Sequence, residues 1–108
     1  MRHFLLTYTL APDYLKRRHE FRAEHLALAK ATAERGELLL GGAVTGLDGE
    51  APDDAQLLFA GDDAETAKAF ARADPYVMNG LVTLWRVREW VTVVGEGAAQ
   101  PLQVGSAH

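Results

Sequence analysis

From Tyr14 to Arg35 the chain contains no glycine and no proline, and its Ala, Leu, Glu, Arg and Lys residues lose little conformational freedom in a helix. This stretch constrains the fold more than any other, because a helix of that length is stable only with one face laid along something apolar. Pro12 and Asp13 mark its start, with the Asp13 side chain expected to accept from the open amides of the first turn, and Gly36 supplies a left-handed stop. At 100° per residue, Tyr14, Phe21, His25, Leu28 and Thr32 fall on one arc with Arg18 and Ala29 at its edge, so His25 lies in the middle of the inward face.

The segments around this helix follow a period of two. Residues 2 to 9 set Phe4, Leu6 and Tyr8 against His3, Leu5 and Thr7, a first strand with both faces at least partly covered. Residues 37 to 44 form a second, in which Gly41 and Gly42 predict a bulge or a close approach of backbone or ligand. Residues 45 to 52 make a loop, and residues 55 to 60 a third strand that closes an antiparallel hairpin. Asp62 and Glu65 have capping-box spacing ahead of a short amphipathic helix through Ala64, Ala67, Phe70 and Ala71. Pro75 ends that helix at Asp74, whose carboxylate then projects from a helix terminus. Asn79 and Gly80 turn the chain into a last strand over residues 81 to 93, bulky on both faces and carrying Trp85 and Trp90.

The order strand, helix, strand, strand, helix, strand predicts an α+β, ferredoxin-like domain: a four-stranded antiparallel sheet with two helices on one face. The other face is left bare, and the economical cover for it is a second copy, so a homodimer is expected. The domain is placed over residues 1 to 94; residues 95 to 108, rich in Gly, Ala and Gln and without a period, are expected to form a disordered tail.

Composition narrows the chemistry. The chain has 108 residues and 48% hydrophobic content, enough for one core, and a chain of this size buries only about two thirds of its unfolded surface. Without cysteine there is no disulfide, no thiolate nucleophile and no Cys-ligated zinc. A net charge of −4 with no lysine-rich block argues against nucleic-acid binding. Arg17, Arg18 and Arg22 do cluster, interleaved with Glu20 and Glu24, which reads as a solvated helix face or as a small anion site. The apolar run near Met1 is too short for a signal peptide or a membrane span, so no membrane association and a cytoplasmic location are expected.

His25 and Asp74 are the candidate catalytic residues. A carboxylate accepting from one imidazole nitrogen fixes the tautomer and raises the basicity of the other, giving an oriented general base. The competing reading makes His25 a hydrogen-bonded core residue and Asp74 a turn residue. His3, His19 and His108 have no metal-ligand spacing with His25, Gly41-Gly42 precedes neither a lysine nor a helix start, and Ser106 is the lone serine. No metal and no cofactor are therefore expected.

Three segments carry a resemblance: Arg22-Ala-Glu-His25-Leu26, then Arg35-Gly-Glu-Leu-Leu-Leu-Gly-Gly42, then Ala73-Asp74-Pro75-Tyr76 with Asn79-Gly80-Leu81. In this order, over roughly residues 2 to 92, the chain resembles the YciI-like (YCII-related) family. The resemblance implies a dimeric α+β barrel and a His-Asp pair landing on His25 and Asp74, with Arg22 matching the family's arginine one helical turn before the histidine; Arg22, Arg18 and Tyr76 are the expected substrate contacts. A relative acts as a dehydrochlorinase on a chlorinated hydroxyhydroquinone, which implies lyase-like proton transfer on a small, hydroxylated aromatic molecule. The chain departs from the family's Gly-Pro after the second strand and Gly-Ser entering the third, having Gly42-Ala43 and Asp54-Ala55-Gln56. Two alternatives stand beside the enzyme: a non-catalytic dimeric module that binds a small ligand, and a ferredoxin-like monooxygenase. A cleft reaching His25 favours the enzyme; a sealed His25 favours the binding module.

Overall fold

The computed structural model describes residues 1 to 102. Its elements are β1 (Arg2–Leu10), α1 (Tyr14–Glu34), β2 (Leu38–Val44), β3 (Asp54–Gly61), α2 (Glu65–Ala73), α3 (Pro75–Met78) and β4 (Val82–Glu89). The strands form one antiparallel sheet in the order β2-β3-β1-β4, the ferredoxin-like arrangement expected from the sequence.

Register sorts the strand residues into two faces. Phe4, Leu6 and Tyr8 of β1 stand opposite Phe59, Leu57 and Ala55 of β3, and Leu6 and Tyr8 also opposite Val87 and Trp85 of β4. This face carries the helices: Phe59 packs on Phe70 of α2 with ring centroids 5.3 Å apart, and Ala67, Ala71, Tyr14 and Tyr76 join the same buried cluster. The small side chains of α2 let it sit close to the sheet. On the reverse face Leu5, Leu58, Leu40 and Leu84 share one surface with Thr7, Arg86 and Arg88, and no helix among the described residues covers it.

Local details depart from expectation in four places. Asp13 occupies the N-cap of α1, but its side chain makes no cap bond; its carboxylate lies 3.8 Å from Arg17 instead. The N-cap position of α2 is held by Ala64, which has no side-chain cap to offer, and Asp63 just before it accepts from the Glu65 amide at 2.8 Å, so the predicted Asp62 capping box does not form. Pro75–Met78 folds into an extra helical turn, opened by Pro75 at its first position and by Asp74 as its cap. The register shift in β2 falls between Leu38 and Leu40, ahead of the glycines.

The last strand is shorter than its sequence pattern. Among the described residues β4 pairs with β1 alone, as far as Glu89 opposite Phe4, and one further bond runs from the Trp90 amide to the His3 carbonyl. From there residues 92 to 102 turn back on themselves: the Gln100 and Leu102 amides donate to the Thr92 and Val93 carbonyls. The Thr92 hydroxyl accepts from the Ala99 amide at 2.8 Å and is also hydrogen-bonded to Nδ1 of His3 at 2.7 Å. Part of the expected tail, residues 103 to 108, lies outside the described residues.

Candidate active site

Three elements meet above the centre of the sheet. β1 sends up Tyr8, α1 sends down His25, and the α2–α3 junction supplies Asp74 and Tyr76. Pro75 forces the residue before it out of helical geometry, and Asp74 accordingly sits at φ −70°, ψ 121°. From that corner its carboxylate turns inward and is wholly buried.

A buried carboxylate survives only with its charge answered by hydrogen bonds, and Asp74 has three. Oδ2 accepts from the Tyr8 hydroxyl at 2.7 Å; Oδ1 accepts from the Tyr76 amide at 3.0 Å and from Nδ1 of His25 at 2.8 Å. Because a carboxylate can only accept, Nδ1 of the neutral imidazole carries the proton and Nε2 is left with a free lone pair. The ring itself is clamped. Tyr76 stacks on it at 3.9 Å with planes 8° apart, and Phe70 meets it edge-on at 6.5 Å.

The Tyr8 hydroxyl is held well above the ordinary tyrosine range, first by burial and then by the charge and hydrogen bond of Asp74. It is thus a fixed donor and no base. Tyr76 is also raised, by burial first and Tyr14 next, against the opposing charges of Arg22 and Arg18. A raised folded-state value means that the stabilisation is complete below the unfolded value and is lost as pH rises above it. Unfolding free energy should therefore fall more steeply above about pH 10 in the wild type than in Tyr8→Phe, by up to about 1.4 kcal/mol per pH unit. Denaturant titrations at a series of alkaline pH values measure this, and parallel curves for the two proteins would contradict it.

His25 is partly open, its side chain 17% exposed, and it borders a cavity of about 360 Å³ between α1 and the β1–β3–β2 part of the sheet. Leu10, Leu38 and Leu57 make the walls apolar, while Arg18, Arg22 and Tyr76 bring the polar groups. Gly41 and Gly42 line it too, and a Cβ added at Gly41, which shares the face of Leu57, would touch that side chain at 3.4 Å. Asp74 lies behind the imidazole. Of the arginine cluster, Arg17 turns away to the Asn79 carbonyl at 2.9 Å and towards Asp13.

A family model for the YCII-related domain matches residues 1 to 91. The chain belongs to this family. No protein of curated function matches it. Among solved structures it is similar to 5-chloro-2-hydroxyhydroquinone dehydrochlorinase from Burkholderia phenoliruptrix AC1100, in complex with 2,5-dihydroxybenzoquinone, at 24% identity over 82% of this chain and 92% of that one, with a TM-score of 0.66. A NIPSNAP family protein of unknown function from Agrobacterium tumefaciens gives 14% identity, 83% and 86% coverage and a TM-score of 0.52. An antibiotic biosynthesis monooxygenase gives 12%, 87% and 100%, and 0.51. At these identities the structures share the fold.

In this YCII-related chain the five residues singled out from sequence, Arg18, Arg22, His25, Asp74 and Tyr76, come together at one place. The sequence reading overlooked Tyr8. Its signal was available: a hydroxyl on the same strand face as Phe4 and Leu6 has to find a partner in the core. The ring of Tyr76 acts on His25 directly, a contact that no spacing along the chain announces. Among the described residues no group of His, Asp and Glu side chains has the proximity to hold a metal ion, and no helix is long and apolar enough to cross a membrane.

Proposed function

We propose that this YCII-related chain is an acid–base enzyme acting on a small hydroxylated aromatic molecule, with His25 as the proton acceptor and Asp74 as the group that orients it. The observation that carries the reading is the 2.8 Å contact between His25 Nδ1 and the wholly buried Asp74, at the wall of a ring-sized, largely apolar cavity. Nε2 takes the proton of a ring hydroxyl, the imidazolium is held between Asp74 and the face of Tyr76, and Arg18 and Arg22 answer the charge of the phenolate. A sealed, purely structural histidine would not border a cavity with two arginines.

On a chlorinated hydroquinol ring this chemistry becomes a dehydrochlorination. The hydroxyl proton passes through His25 to the chlorine-bearing carbon, giving a keto tautomer. Loss of a second hydroxyl proton then expels chloride and leaves a quinone. One proton and one chloride ion depart, and the ring oxidises itself as the C–Cl bond breaks, so no external oxidant enters. The test is a panel of hydroxylated and chlorinated benzenes offered to wild type and His25→Ala, with proton release and ring absorbance as readouts. Equal rates with both proteins would sink the reading.

The same reading includes a second copy of the chain on the helix-free sheet face, where Leu40 and Leu84 are strongly exposed beside Leu5 and Leu58. An apolar surface of this kind is the usual substrate for self-association. Light scattering at micromolar concentration should give the mass of a dimer, and Leu58→Arg should give that of a monomer. A wild-type monomer would refute the pairing.

A further inference from the structure

We infer that the cavity is built for a ring that carries a fixed negative charge, such as a carboxylate, in addition to the hydroxyl presented to His25, and that Arg18, Arg22 and the Tyr76 hydroxyl hold that charge. The inference rests on the proposed reading of this cavity as a small-molecule site. It adds what the ligand must carry.

Three observations support it. Tyr76 is 3% exposed, and its hydroxyl, though close enough to Tyr14 to be held up by it, makes no well-formed hydrogen bond among the described residues; native proteins rarely leave a buried hydroxyl so poorly satisfied without a use for it. Arg18 and Arg22 stand one turn apart on α1 and both line the cavity. Neither makes an ion pair or a hydrogen bond among the described residues, unlike Arg2, Arg17, Arg35 and Arg72; Arg86 and Arg88 are also without one, but they lie on the other face of the sheet and away from the cavity. The charges of Arg22 and Arg18 also reach the Tyr76 hydroxyl. The buried acid nearby, Asp74, already serves Tyr8, His25 and the Tyr76 amide, so it is not the missing counter-ion.

Two guanidinium groups with no ion-pair partner among the described residues, the half-buried Arg18 and the exposed Arg22, and a poorly satisfied hydroxyl make a donor-rich wall on an apolar cavity. A carboxylate fits guanidinium geometry through paired hydrogen bonds and has lone pairs to spare for the phenol. Arg22 is three residues before His25, one helical turn or about 5 Å along α1, which is close to the span of a benzene ring with its substituents. A hydroxyl at Nε2 and a carboxylate at the donor-rich wall are therefore compatible with one ring.

Isothermal titration of the full chain with 2,5-dihydroxybenzoate and with its neutral analogue 2,5-dihydroxybenzamide tests the inference. The benzoate should bind about tenfold more tightly, as charge-assisted bonds to a carboxylate outweigh those to an amide. The preference should vanish in Arg18→Gln/Arg22→Gln and shrink in Tyr76→Phe, which keeps the stacked ring and removes only the hydroxyl. It should persist in His25→Ala. Equal affinities, no binding of either compound at millimolar concentration, or a preference untouched by the double arginine change would overturn the inference. A carboxylate preference without turnover of any panel compound would sink the acid–base reading and leave the carboxylate site standing; turnover without the preference would do the reverse.

Discussion

Asp74→Ala should lower the unfolding free energy by about 3–5 kcal/mol, the loss found when one partner of a buried charged pair is removed and the rest is left in place. The size follows from what stays behind. The Tyr8 hydroxyl, in a side chain 1% exposed, and the Tyr76 amide would both lose their acceptor in an environment that water does not reach, and each unsatisfied buried donor costs about 1–3 kcal/mol. The first turn of α3 would also lose its cap, so the corner that holds Tyr76 against His25 should loosen. Asp74→Asn separates charge from shape. Its amide oxygen can still accept from Nδ1 of His25 and the Tyr76 amide, and its NH₂ can donate to the Tyr8 oxygen, so most of the stability should return. Urea titration of the three proteins reads the comparison. An alanine variant as stable as the wild type would show that the Asp74 network contributes nothing to the fold.

In the proposed reaction His25→Ala should lower kcat about a thousandfold, the middle of the range for removing a general acid–base group. KM should move much less, because Arg18, Arg22 and the apolar walls remain. Added imidazole should restore part of the lost rate in this variant, since the space vacated beside Asp74 and Tyr76 has the shape of the missing ring. Tyr8→Phe should lose about tenfold, acting only through the orientation of Asp74, and imidazole should not help it. Wild-type turnover in His25→Ala, or rescue of Tyr8→Phe by imidazole, would break the assigned roles.

Much of the architecture was legible because repetition along the chain reports which side of an element is covered. The arc from Tyr14 to Thr32 and the alternation of Phe4, Leu6 and Tyr8 name the buried faces, and Tyr14, Thr32, Phe4, Leu6 and Tyr8 are indeed buried. Short-range choices between neighbouring donors were less legible. Asp62 and Asp63 both stand just before α2, and the helix starts at Ala64, so it is Asp63 that meets the Glu65 amide. The turn at Pro75–Met78 has too few residues to show a period, and the end of β4 is set by its pairing with β1, which lies far away in the chain.

The candidate site divides along the same line. Sequence alone determined that His25 faces inward, since residue spacing on a helix is a local property, and that Asp74 stands at a corner, since Pro75 acts on its immediate neighbour. Only the tertiary structure decided that the two side chains meet at 2.8 Å, that Tyr8 closes the network from the sheet below, and that Tyr76 lies flat on the imidazole. Those contacts join residues 49 and 66 positions apart. Their distances are set by how α1, the α2–α3 corner and β1 pack together, and packing depends on all the facing side chains at once, which no local pattern encodes.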